Sequence, residues 1–177
     1  MNATAFEDRE ATLDSGDPVS RIEREGYRLG CLALLTPFDK ASALLEMQSI
    51  YRLPRTPSWV SGIINHQGRV VPVFDLALLF GTASSRHDRP MLLLLGHKEE
   101  ATAVIIDGLP ERLAFTVQDR IDSPYLPDSM DEFVHASYRS GDQIWIDFDH
   151  GRFLAQALPR HLRQGADELY QPEAMQA

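Results

Sequence analysis

The sequence predicts an all-β domain assembled from short antiparallel strands. Three observations lead there. Apolar runs of five or six residues recur through the middle of the chain, bounded by glycine, proline, asparagine or aspartate. These runs are too short for ordinary helices and are rich in valine, isoleucine and leucine. Apolar residues at helical spacing are confined to a few brief stretches. Such strands suit an antiparallel barrel or sandwich.

The elements follow in order. Residues 1–25 hold few large apolar side chains and the turn-like Ser15-Gly16-Asp17-Pro18, so they are expected to form an acidic, mobile tail. Within them Glu23-Arg24-Glu25, with Gly26 after, is poor strand material. Residues 27–36 are a strand candidate, although their leucines and Ala33 also favour helix. Cys31, between Gly30 and Leu32, reads as a small buried hydrophobe. In residues 39–47, Ala41, Leu44 and Leu45 leave a short helix competing with an irregular strand. Residues 69–74 are a clearer, valine-rich strand. Asp75 then caps a short helix that ends at Gly81. Residues 91–95 and 101–106 form a hairpin about Gly96-His97-Lys98-Glu99-Glu100, closing at Asp107-Gly108-Leu109-Pro110. Residues 111–117 are the next strand. Residues 119–140 contain Pro124 and Pro127 and read as a loop with one helical turn. In residues 143–148, Ile144, Ile146 and Phe148 alternate with Trp145 and Asp147. Phe153, Leu154, Ala157 and Leu158 have helical spacing, with Pro159 to end it. Residues 163–177 are a second polar tail, leaving 26–162 as the folded domain.

Composition narrows the function. At 177 residues, 44% of them hydrophobic, the chain can build a core without disulfides or metals. Its single cysteine forms no internal disulfide and fits a reducing compartment. The first residues lack the basic and apolar regions of a signal peptide, and the apolar run 91–95 is far too short to span a bilayer. A cytoplasmic protein without direct membrane insertion is expected. The net charge of −9 is concentrated in the two tails. No dense positive stretch is present to meet a phosphate backbone, which argues against nucleic-acid binding.

The most informative segment is residues 53–76. Leu53-Pro54 and Thr56-Pro57 hold the backbone extended. Trp59 supplies a large ring to bury, Gly62 permits a bulge or close backbone approach, and Asn65-His66-Gln67-Gly68 is a turn in which Asn and Gly accept positive φ. Pro72 marks an edge strand or a bulge. In its Pro57, Trp59, Gly62, Asn65, Gly68, Pro72, Asp75 and Leu76, this segment resembles the CheW-like domain, and a weaker similarity runs over residues 26–160. The resemblance implies two five-stranded SH3-like β-barrels sharing a hydrophobic junction. It further implies no catalysis, no cofactor, and an adaptor that binds the regulatory domain of a CheA-type histidine kinase and the cytoplasmic hairpin tip of a chemoreceptor, in chemotaxis or pilus-driven motility.

Two positions depart from that pattern. Gln67 stands where the family has an arginine that contributes to partner recognition, with Arg69 close behind; alternation of faces along a strand predicts that Arg69 does not replace it. Ala41, Ser42 and Ala43 stand where the family often has Val-x-Glu. These departures favour, as a second reading, a degenerate scaffold or competitor subunit outside motility.

Asn65, His66, Gln67, Arg69 and Gly62 are therefore the candidate partner-binding residues, and Trp59, Gly68, Pro72, Asp75 and Leu76 carry the structural motif. Each has a plainer role: Trp59 as core, Asn65 bonding its own turn, His66 and Gln67 as solvated tip residues, Arg69 as rim, Asp75 as a cap. Asp147, Asp149 and His150 suggest a metal-binding, small-ligand or hydrolytic barrel, with the two aspartates on one strand face. The further oxygen ligands and later glutamate of a calcium loop are missing, and the six histidines lack zinc spacing.

Overall fold

A computed structural model of the chain describes residues 21–83, 88–97, 100–122, 126 and 128–157. The described residues form one connected set of strands: β1 (Ile22–Leu29), β2 (Leu32–Thr36), β3 (Ala41–Glu46), β4 (Val60–His66), β5 (Arg69–Phe74), β6 (Pro90–Leu95), β7 (Thr102–Phe115), β8 (Arg120–Ile121), β9 (Val134–Ser140) and β10 (Gln143–Phe148). The short helices are α1 (Leu76–Leu79), α2 (Asp128–Asp131) and α3 (His150–Arg152), the last running into a π turn over Phe153–Ala157. None is long and apolar enough to cross a membrane.

β7 joins two halves. Its first part pairs with β6 and, in parallel at Ala103 and Val104, with β5; its second part, from Asp107 to Phe115, pairs with β1. One half is therefore β4-β5-β7-β6-β3. The other is β7-β1-β2-β10-β9, with the two-residue β8 outside it. Each half is a curled five-stranded sheet of SH3-like build whose ladder stays open. In the first half a single bridge, Tyr51 to Ile63, links the chain leaving β3 to β4.

The bend that lets β7 serve both halves lies at Gly108, whose φ of 72° suits glycine, beside a register slip between Gly26 and Arg28 of β1. Gly108 donates its N–H to the Arg89 carbonyl at 2.9 Å.

Strand alternation then builds three cores from continuous apolar runs. Leu92, Leu94, Ala103 and Ile105 fill the first half with Ile64, Val71 and Val73. Ala33, Leu35, Phe115, Tyr138 and Trp145 fill the second. The opposite faces, including Leu34, Leu93, Leu95, Val104, Ile106 and Ile146, meet in the junction between the halves. Both faces of these strands are thus dry, which is why residues 92–95 read as unbroken leucine rather than as alternation. Aromatic rings lock the junction: Phe133 meets Phe153 edge-on at 5.4 Å, and Phe80 meets Phe148 at 6.2 Å.

Several expectations are corrected. β1 begins at Ile22, so residues 22–25 belong to the folded body and not to the tail. This polar stretch becomes a strand because β7 pairs with all of it, from Ile22 to Glu25, and β2 joins on the other side at Glu25. Gly26 is required there, since a Cβ would lie 2.5 Å from the Trp145 ring. The single strand expected over 27–36 is the hairpin of β1 and β2, and Cys31 sits exposed at its tip, not buried. Residues 41–46 are strand, because β6 offers them a paired neighbour. The strands expected on either side of Gly108 are one strand, bent. The supposed loop 119–140 contains β9, held between β8 and β10. Residues 1–20 and 158–177, with most of both expected tails, lie outside the described residues.

A buried polar pair crosses the junction. The Tyr27 hydroxyl meets Nε2 of His150, and both side chains are buried. Burial pushes the Tyr27 hydroxyl well above its ordinary range, so it stays protonated and donates. Burial likewise lowers the His150 pKa from 6.5 to about 4, against smaller upward pulls from the Phe148 backbone and the Asp149 charge. The folded state therefore binds fewer protons at His150 than the unfolded chain does. The stabilisation is complete above pH 6.5 and is lost as the pH falls from there toward 4. The loss should amount to roughly 3 kcal/mol. Urea midpoints measured from pH 8 to 4 for the natural chain and for His150→Gln should diverge across that window in the expected sense; parallel curves would refute the burial argument.

Candidate functional site: the β4–β5 hairpin and its two faces

The hairpin is made by a two-residue turn. Gln67 and Gly68 take φ of 53° and 80°, the pair of positive values that matches the twist of the strands. Asn65 holds the turn by accepting the Gly68 N–H on Oδ1 at 2.9 Å. It is thus Gln67, and not Asn65, that joins glycine in the left-handed region; the asparagine spends its side chain on the turn instead.

At the base, Gly62 lies in a bulge between β4 and β5, with φ of 135°. A Cβ there would clash with the Tyr51 carbonyl oxygen and lie 2.8 Å from its carbon. The glycine lets Tyr51 and Ile63 exchange backbone hydrogen bonds of 2.9 and 3.0 Å across the seam. Expected at the contact surface, Gly62 is instead buried under the Tyr51 backbone. Trp59, in the turn before β4, is 8% exposed and packs in the junction, its ring centroid 6.0 Å from that of Phe74. Its carbonyl accepts the Asp75 N–H at 2.7 Å. Asp75 in turn caps α1 through the Leu78 N–H at 3.1 Å, which seats Leu76 in the junction. Pro72 pairs with Ile63 just before β5 gains its second neighbour, so the first part of β5 is an edge and the rest is not.

Strand parity separates the two faces of the hairpin. Gly62, Ile64 and His66 pair with Val73, Val71 and Arg69 on the inward side. Ile63 and Asn65 pair with Pro72 and Val70 on the outward side, and Tyr51 bridges to Ile63. The outward face is an apolar row open to solvent: Tyr51 is 66% exposed and Val70 69%. At the inward tip, His66, Gln67 and Arg69 line one small depression with Ala43, Leu94 and His97. Arg69 therefore does share a side with Gln67. The two are two positions apart, across a turn, so the reversal expected from strand alternation does not apply. The two departures from the family pattern, Ala43 and Gln67, also meet here. Sequence reasoning missed Tyr51, Val70 and His97; the apolar Val70 opposite polar Asn65 was the one local signal.

Asp147, Asp149 and His150 lie at a cleft of about 810 Å³ on the junction, far from the expected arrangement. Asp147 is buried and takes a 3.1 Å ion pair from Arg24, tying β10 to β1. Asp149 lies beyond the end of β10, so the two aspartates do not share a strand face. It caps α3 through the Arg152 N–H at 2.9 Å and lies 3.2 Å from His135. Among the described residues no three His, Cys, Asp or Glu side chains are grouped to hold a metal.

Comparison with known proteins agrees with this architecture. The chain is 26% identical over 127 residues to Protein PilI of Pseudomonas aeruginosa, covering 70% of each. It is 29% identical over 119 residues to the Chemotaxis protein CheW of Helicobacter pylori, covering 67% of this chain and 70% of that one. A crystal structure of the scaffolding protein TtCheW from Thermoanaerobacter tengcongensis shares the fold, with a TM-score of 0.61 and 21% identity, over 71% of this chain and 82% of that one. The model of the CheW-like domain matches residues 26–158, from the middle of β1 to just past the π turn, and this chain belongs to that family.

Proposed function

We propose that this protein is a non-catalytic adaptor that couples a chemoreceptor-type sensor to a CheA-type histidine kinase in chemotaxis or pilus-driven motility. The observation that carries the reading is the outward row of Tyr51, Ile63, Pro72 and Val70. Its exposed ends, at 66% and 69%, are large apolar side chains on rigid, paired backbone. A row of that kind suits packing against a matching barrel face, with aromatic and aliphatic anchors at its centre. The similarity to proteins named for chemotaxis, to PilI and to a scaffolding protein supports the same reading.

Titration calorimetry against the regulatory domain of the cognate kinase is the test. Val70→Glu with Tyr51→Ala should weaken that complex at least tenfold, about 1.4 kcal/mol or more, while leaving the melting temperature nearly unchanged. Affinity no tighter than millimolar for every such kinase of the same cell would end the adaptor reading.

The neutral Gln67 at the exposed hairpin tip favours one alternative, a scaffold or competitor subunit tuned away from receptors. Under that alternative Gln67→Arg strongly raises receptor affinity. No change on introducing the arginine would remove it.

A further inference from the structure

The cleft of about 810 Å³ on the junction has the size of a small-molecule site, ~300–1,000 Å³, and lies at a seam between lobes where such sites form. It is bounded by the end of β2, the β6–β7 connection and the residues after β10. Its floor is apolar: Leu95 and Phe148 are buried there, and Leu154 of the π turn lines one side. Two buried polar groups border that floor without a partner. The Thr36 hydroxyl, on a fully buried side chain, makes no hydrogen bond. His150 accepts from Tyr27 on Nε2, so its uncharged ring carries its proton on Nδ1. That N–H feels the Phe148 backbone but closes no hydrogen bond. Buried donors left unmet are costly, and native structures seldom keep them without a role.

The charges around the cleft are of both signs. Asp147 is held by Arg24 at 3.1 Å. Asp149 accepts the Arg152 N–H and meets His135 at 3.2 Å. These two carboxylates are committed within the fold. Lys40 and Glu100 stand exposed at the mouth with opposite charges. The Lys40 ammonium is 3.8 Å from Asp39, a pair open to water and weak for that reason. Three carboxylates in the lining disfavour a bare anion. Neutral donors at depth, an apolar floor and one charge of each sign at the mouth match a small zwitterion with an apolar body.

We propose that this cleft binds a free α-amino acid with an aliphatic or aromatic side chain. The side chain lies over Leu95 and Phe148. The carboxylate accepts from Thr36 and His150 with Lys40 beside it, and the ammonium faces Glu100. Thr36 and His150 belong to the second half, Leu95 and Glu100 to the first, so the ligand bridges the two. The site uses neither the outward row nor the hairpin tip, and it stands without the adaptor reading.

Thermal unfolding and titration calorimetry on the full chain test the site, with L-leucine and L-phenylalanine as probes. At least one should bind, and should raise the melting temperature by about 5 °C or more at a hundredfold excess over its Kd. The matching acid without the ammonium and the amine without the carboxylate should each bind at least tenfold more weakly. For leucine these are 4-methylpentanoate and 3-methylbutylamine; for phenylalanine, 3-phenylpropanoate and 2-phenylethylamine. Thr36→Val keeps the shape and removes the unmet hydroxyl. It should lower amino-acid affinity at least tenfold while the ligand-free chain melts no lower than the natural one. Glu100→Gln should lower affinity by a similar factor, and Arg69→Gln, at the hairpin tip, should leave it unchanged. If Thr36→Val does not fold, Lys40→Gln and Glu100→Gln carry the test. Failure of both amino acids to bind more tightly than about 10 mM would overturn the proposal. Equal binding of an amino acid and its two analogues would overturn it too, as would an affinity that none of the cleft variants moves.

Discussion

Gly62→Ala is expected to destabilise the protein by roughly 3–5 kcal/mol, an unusually large effect for the addition of one methyl group. Two costs combine. The φ of 135° lies where only glycine is at ease, and the new Cβ would press on the Tyr51 carbonyl, with the Arg52 Cα 3.0 Å away. Neither neighbour is a flexible side-chain end that can swing aside. Both are backbone held by the Tyr51–Ile63 hydrogen bonds, so relief means opening the seam of the first half. Gly68→Ala is the matching control. Its φ of 80° is also positive, yet nothing lies within 4 Å of a Cβ there, so only the backbone term of about 1–2 kcal/mol should appear. Urea unfolding of the two variants separates clash from strain. Equal losses would show that the seam yields easily and that the close approach is not what demands glycine.

Trp59→Ala should cost about 3–5 kcal/mol, because it empties a large ring from the junction. The ring is only 8% exposed and is packed with Phe74. The junction belongs to both halves, so the loss should be felt in both. The remaining tryptophan, Trp145, is buried in the second half and 2% exposed, which makes it a reporter of that half alone. Its fluorescence in the variant should shift to a lower urea midpoint together with the circular dichroism of all the strands, in one transition. An unchanged midpoint would show that the ring contributes nothing to the junction. A shift in the circular dichroism that Trp145 does not follow would show that the halves unfold separately.

The turn and cap chemistry of residues 53–76 is legible in the sequence, whereas the burial of Gly62, the positive φ of Gln67 and the side taken by Arg69 are not. Asn65 closing its own turn, Asp75 as a cap and Gly81 beyond α1 all follow from contacts within a few residues of chain. Turn and cap rules act over that range, so spacing alone is enough to read them. The sequence of the β1–β2 hairpin resembles one strand because Gly30-Cys31 is a weak turn signal inside apolar residues. The thiol then follows the turn outward rather than the hydrophobicity inward.

Residue order by itself determined that the chain is built from short strands, where its β4–β5 hairpin turns and which family pattern that hairpin carries. Tertiary structure alone decided that β1 belongs with β7 and β2 with β10, strands far apart in the sequence. It also decided that Ala43, His97 and the hairpin tip share one depression. The physical reason is that a strand apolar on both faces carries no mark of which face meets which core. Only the pairing of distant edges, set by how all the faces are buried together, assigns the leucines of β6 to the first half or to the junction and brings the rim residues to one place.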